Sequence, residues 1–134
     1  MNKRFQPVVD ILVSTFPEIV AIYAYGSQLS GHTHKKSDLD IALLFKTGTP
    51  PPLKTIYRHL GQLMDSAECP VDIGILTHNN TIYAKEVITK GTRIFCSDSR
   101  QSDEFEMYCL SYFTQLNFER SQIIAAYRTG TENG

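Results

Sequence analysis

Residues 38–45, Asp-Leu-Asp-Ile-Ala-Leu-Leu-Phe, constrain the fold of this chain more than any other stretch. Leu39, Ile41, Leu43 and Phe45 fall on one side of a two-residue period, and Asp38, Asp40, Ala42 and Leu44 on the other. This alternation reads as a β-strand. Side chains two apart on a strand share a face. Asp38 and Asp40 therefore project together, with Cα atoms roughly 7 Å apart by strand rise. Ile19–Tyr25 is a β-branched and aromatic run with the same character. Val71–Leu76 sets Asp72 and Gly74 opposite Val71, Ile73 and Ile75, and Thr92–Cys96 supplies a short final strand.

Between these runs the apolar period becomes helical. Phe5, Val8, Val9, Leu12 and Val13 stripe residues 4–15. Pro7 falls in the first turn, where a missing N–H costs little, and Pro17 ends the helix. Leu53, Ile56, Tyr57, Leu60, Leu63 and Met64 predict one long second helix over Leu53–Ala67. Asn80 or Thr81 can cap a helix that runs to Lys90, with Gly91 as its C′ residue. Ser97–Asp103 reads as a polar loop. Phe105, Tyr108, Cys109, Tyr112, Phe113 and Leu116, continued by Ile123, Ile124 and Tyr127, predict a last helix over 104–128. Its aromatic residues suit a core and a partner surface equally. The fold class expected is α/β (α+β), a small sheet of about four strands flanked by helices. Residues 1–128 form one domain, including the helix at 104–128, and 129–134 a disordered tail.

Composition narrows the function. Lys and Arg number 13 against 14 Asp and Glu, with a net charge of −1. A large nucleic-acid footprint requires a Lys/Arg excess, so no direct nucleic-acid binding is expected. No apolar run approaches the ~18–20 residues that span a bilayer, and no signal-peptide core is present. A cytoplasmic protein without membrane contact is expected. Cys69, Cys96 and Cys109 are widely spaced and form no CxxC pair, which removes zinc and thioredoxin-like readings.

The chemistry lies in Asp38, Asp40 and Asp72. Carboxylates gathered on one face repel one another unless a cation sits between them. Hard oxygen ligands with positions left for phosphate oxygens suit Mg²⁺, and a two-metal arrangement serves in-line displacement. Gly26-Ser27 directly follows a strand. Glycine permits close backbone approach to a ligand, and free N–H groups at a helical turn beginning at Ser27 attract phosphate. The loop Ser30–Ser37 brings Lys35 and Lys36 near the same mouth, where they can steer a triphosphate. Taken alone, Gly-Ser is an ordinary turn and Asp-x-Asp a solvated strand start. Asp72 between Val71 and Ile73 is harder to dismiss, because a buried carboxylate without a partner is costly. His32 and His34 sit in a Lys-rich loop without a third ligand and read as solvated.

Gly26-Ser27, ten residues (28–37), then Asp38-Leu39-Asp40, with strands on both sides and Asp72 in a later strand, is the spacing of the DNA polymerase β-type nucleotidyltransferases. The chain resembles the stand-alone minimal nucleotidyltransferases of that superfamily over nearly its whole length. Thr89-Lys-Gly-Thr-Arg-Ile-Phe-Cys and the long last helix resemble the antitoxin subgroup encoded beside HEPN-domain proteins. The resemblance implies a polymerase β-like fold and Mg²⁺ held by Asp38, Asp40 and Asp72. It also implies transfer of AMP from ATP to a tyrosine of a cognate HEPN RNase toxin, in a hetero-oligomer. By the same resemblance, Asp72 helps deprotonate the acceptor hydroxyl. The chain departs from the pattern after Gly-Ser. Many relatives read Gly-Ser-Arg-Ala-Arg-Gly, whereas Gln28, Leu29, Ser30 and Gly31 follow here, which leaves Lys35 and Lys36 as the nearby cations. Two other functions fit the same residues: a binding antitoxin that retains the fold without catalysis, and transfer to a small-molecule hydroxyl. The second leaves little chain to build an acceptor pocket.

Overall fold

A computed structural model of the protein describes residues 5–26, 38–46 and 50–132. Four strands, β1 (Ile19–Tyr25), β2 (Leu39–Phe45), β3 (Val71–Ile75) and β4 (Thr92–Cys96), form one sheet in the order β3-β2-β1-β4. The sheet is mixed: β1 runs antiparallel to β2 and β4, while β2 and β3 are parallel. The end of β1 and the starts of β2 and β3 therefore meet at one end of the sheet.

Helices cover both faces. Helix α1 (Phe5–Thr15), α2 (Leu53–Tyr57) and α3 (Leu60–Ala67) bury Phe5, Val8, Leu12, Ile56 and Leu63 against Leu39, Ile41, Leu43 and Ile73. On the other face, α4 (Thr81–Lys90) and α5 (Ser99–Glu132) bury Ala84, Val87, Phe105 and Cys109 against Val20, Tyr23, Ala42 and Leu44. The alternation read in β2 is thus a division between two cores. Both halves are apolar from Ile41 onward because both faces are roofed. Fully burying each large aliphatic side chain contributes about 1.5–3 kcal/mol.

The structure corrects the sequence reading at several points. The helix expected over 53–67 is interrupted at Arg58 and His59. There the His59 N–H donates to the Ile56 carbonyl three residues back (3.0 Å), and His59 lies at φ −97°, ψ 2°. The overwound turn lets the His59 ring meet Phe16 edge to face, 5.6 Å between centroids. Ser97–Asp103 is not a loop, because α5 begins at Ser99. Asp98 Oδ1 accepts the Gln101 N–H (3.1 Å), a side-chain N-cap. The helix also runs on to Glu132, past the expected end at 128. Gly91 closes α4 with extended backbone, φ −99°, rather than a left-handed turn. Glycine is needed because a Cβ would meet the carbonyl oxygens of Val87 and Ala24 at 2.6 and 2.7 Å. No described helix is long and apolar enough to cross a membrane.

The aromatic stripe of α5 divides. Phe105 and Cys109 are buried, whereas Tyr108, Tyr112, Leu116, Ile123 and Ile124 are exposed. Burial pushes the Cys109 thiol up to about 11, so it is inert at neutral pH. A polar knot ties α5 to the sheet. Tyr23 Oη lies 2.9 Å from Ser102 Oγ and donates to Glu106 (2.7 Å), and Arg93 Nη1 donates to Asp103 (2.9 Å) and Glu106 (3.2 Å). Ser102 is fully buried and satisfied there.

Candidate active site

Parallel pairing of β2 with β3 sets Asp40 directly beside Asp72, and antiparallel pairing with β1 sets Tyr25 on the other side of Asp40. Register partners share a face, so both carboxylates project toward the α4 side. Asp38 is exposed and stands just ahead of β2, which begins at Leu39, one residue later than the alternation suggests. The Leu39 N–H donates to the Pro70 carbonyl (2.9 Å), which fixes the two parallel strand starts together. Asp40 is half-buried, and its carboxyl is raised above the usual range by burial first, then by the charges of Asp72 and Asp38. Two neighbouring carboxylates thus already act on Asp40 electrostatically. Among the described residues no three acidic, His or Cys side chains are drawn together tightly enough to clasp an ion as they stand.

Gly26 follows β1 at φ +89°, and a Cβ there would collide with the Asp40 carboxylate. The glycine of the Gly-Ser pair therefore lies against Asp40, the second acid of the Asp-x-Asp pair, and its missing side chain leaves that carboxylate open. Ser27, Lys35 and Lys36, with His32 and His34, lie outside the described residues.

The sequence reading missed a tyrosine pair. Tyr25 Oη and Tyr83 Oη are 2.9 Å apart, with rings edge to face at 6.0 Å. Tyr83 comes from α4, and its hydroxyl end lies over Gly74, where a Cβ would collide with it. Both phenols are held above their ordinary range, chiefly by burial and also by the charges of Asp40 and Asp72. The signal available was Gly74 on the Asp72 face of β3. A strand glycine marks a place where another group approaches closely.

Residues 7–100 match the family described as Polymerase beta, Nucleotidyltransferase. This chain belongs to that family. It is 32% identical over 120 residues to the protein adenylyltransferase MntA of Shewanella oneidensis, covering 87% of this chain and 82% of that protein. Among solved structures, a chain of a toxin–antitoxin complex with AMP-PNP superposes with a TM-score of 0.74 at 24% identity, covering 93% of this chain and 98% of that one. A chain of the Shewanella oneidensis complex of a tri-AMPylated HEPN toxin with its MNT antitoxin gives a TM-score of 0.69 at 22% identity, covering 92% and 94%. These last two likenesses show the fold. Family membership makes the polymerase β-like architecture and the nucleotidyltransferase assignment one conclusion, with a nucleotide as substrate.

Proposed function

We propose that this chain transfers AMP from ATP, with Mg²⁺, to a tyrosine hydroxyl of a HEPN-domain RNase toxin, and so acts as its antitoxin. The observation that carries the proposal is Asp40 paired with Asp72 and open against Gly26 at one end of the sheet, in a chain of this family. The 32% identity to a protein adenylyltransferase supports AMP as the group moved. The likeness to a complex that holds a tri-AMPylated HEPN toxin supports such a toxin as the acceptor.

The donor set fits a hard divalent cation. Asp38, Asp40 and Asp72 offer only oxygen, and the charge imposed on Asp40 is the repulsion a cation relieves. When bound, Mg²⁺ neutralises the triphosphate and polarises the phosphoryl group under attack. The chain's own residues do the rest. Gly26 leaves the Asp40 carboxylate uncovered, and Ser27, Lys35 and Lys36 hold the phosphates. Asp72 accepts the proton of the acceptor hydroxyl. The phenolic oxygen bonds to the α-phosphorus as the bond from that phosphorus to the pyrophosphate oxygen breaks. Pyrophosphate leaves with the electron pair, and the proton passes through Asp72 to water. The bulky anion added to the toxin then opposes RNA binding by charge and size.

One observation favours a second reading. The exposed apolar stripe of α5 suits a protein partner whether or not transfer occurs. The test is intact-mass spectrometry of the partner after incubation with ATP and MgCl₂, beside an RNase assay. One or more AMP units added by the wild type and none by Asp38→Asn is the expected outcome. Full RNase inhibition by Asp38→Asn, with no mass change in either case, replaces catalysis with inhibition by contact.

A further inference from the structure

A cleft of about 340 Å³ lies at the β3 side of the sheet, lined by Tyr25, Leu53, Asp72, Gly74, Asn80 and Tyr83 among others. We infer that this cleft is the acceptor pocket and takes a phenol side chain, its ring against Tyr83 and its hydroxyl toward Asp72, with Asn80 as the polar group that selects it. The inference rests on the transfer reading above and adds where the acceptor enters and which residues choose it.

The order of the strands places the cleft. Tyr25 ends β1, Asp40 is on β2 and Asp72 on β3, and β3 is the edge of the sheet. The cleft spans the acidic pair from Tyr25 on β1 to Asp72 on β3, so a phenol seated in it can bring its hydroxyl to Asp72. The chemistry of the walls agrees. Among the described residues the cleft's lining includes no Lys or Arg, and its walls suit a neutral phenol. Leu53 and the rings of Tyr25 and Tyr83 supply apolar and aromatic surface, and aromatic groups pair favourably edge to face. Tyr83 is held in place from below by Gly74 and from the side by the Tyr25 hydroxyl.

Asn80 provides an independent observation. It occupies the N-cap position of α4, where an Asn side chain ordinarily bonds the first turn, yet its side chain makes no capping hydrogen bond. It lines the cleft instead. Its exposed amide can bond a phenolic hydroxyl, a contact that a phenylalanine ring does not offer.

The experiment has two arms. In the first, N-acetyltyrosinamide is titrated into the intact protein without metal and followed by backbone amide NMR. Shifts at Gly74 and Asn80 are expected, absent with N-acetylalaninamide and lost in Tyr83→Ala. In the second, steady-state transfer to the HEPN partner is measured for Asn80→Ala and Tyr83→Phe. The KM for the partner should rise about 3- to 10-fold, as expected for one lost hydrogen bond, with the KM for ATP unchanged. Asn80→Ala removes no cap and keeps the test open should Tyr83→Ala fail to fold. An unchanged partner KM in both variants, with normal transfer by the wild type, overturns the pocket and leaves the transfer reading intact. A raised KM for ATP alone makes the cleft a nucleotide subsite and also overturns it. Tyrosine-specific shifts in a wild type that transfers nothing to the partner support the pocket and overturn the transfer reading.

Discussion

At Gly26 two demands fall on one atom position. Its φ of +89° is a backbone region that L side chains rarely adopt, and the space a Cβ would fill belongs to the Asp40 carboxylate. Gly26→Ala should cost about 1–3 kcal/mol for the strained backbone, and it should displace Asp40. Urea denaturation and steady-state transfer check the two effects together. Wild-type stability and rate in the variant would remove the contact from the site. The acidic pair was legible in the sequence because strand period alone places Asp40 and Asp72 on definite faces. That they are direct register partners was not legible, since pairing between β2 and β3 depends on the chain packed between them. The Tyr25–Tyr83 contact spans 58 residues and depends on the path of α4 across the sheet. No local pattern encodes that path, and only Gly74 hinted at it.

Elements began and ended where side-chain bonds, more than hydrophobic period, decided. The polar stretch Ser97–Asp103 carries no apolar stripe, so period alone read it as a loop. Asp98 nevertheless starts α5 by accepting the Gln101 N–H, and Ser102 is buried in the knot with Tyr23 and Arg93. The Asp98-x-x-Gln101 spacing was the sequence signal, a capping-box pattern with an acidic cap. Asn80 misled in the other direction, because it has the right residue type for a cap and does not act as one. These two positions make a paired prediction. Asp98→Ala should lower stability by about 1 kcal/mol. Asn80→Ala should leave it nearly unchanged. Urea midpoints with unaltered slopes measure both, and equal losses would mean that Asn80 caps α4 after all.

Taken whole, the molecule is a compact three-layer body with one helix that outgrows it. Phe105 and Cys109 pack α5 onto the sheet, and the same helical face continues through Leu116 and Ile123 in steps of seven residues. Leu116 is 40% exposed and Ile123 69%. Within the protein, that continuation has no core to enter. A buried stripe that runs on into solvent fits a helix completed by another protein. Under the proposed function, the occupant expected is the HEPN partner. Paired substitution of Leu116→Ala and Ile123→Ala should weaken the complex by about 1–4 kcal/mol, a dissociation constant raised at least several-fold. Neither residue belongs to the metal or nucleotide site, so ATP binding should not change. Calorimetric titration of partner and of ATP separates these effects. Undiminished partner affinity would place the interface on the body, and a parallel loss of ATP binding would mean that the extension of α5 supports the fold.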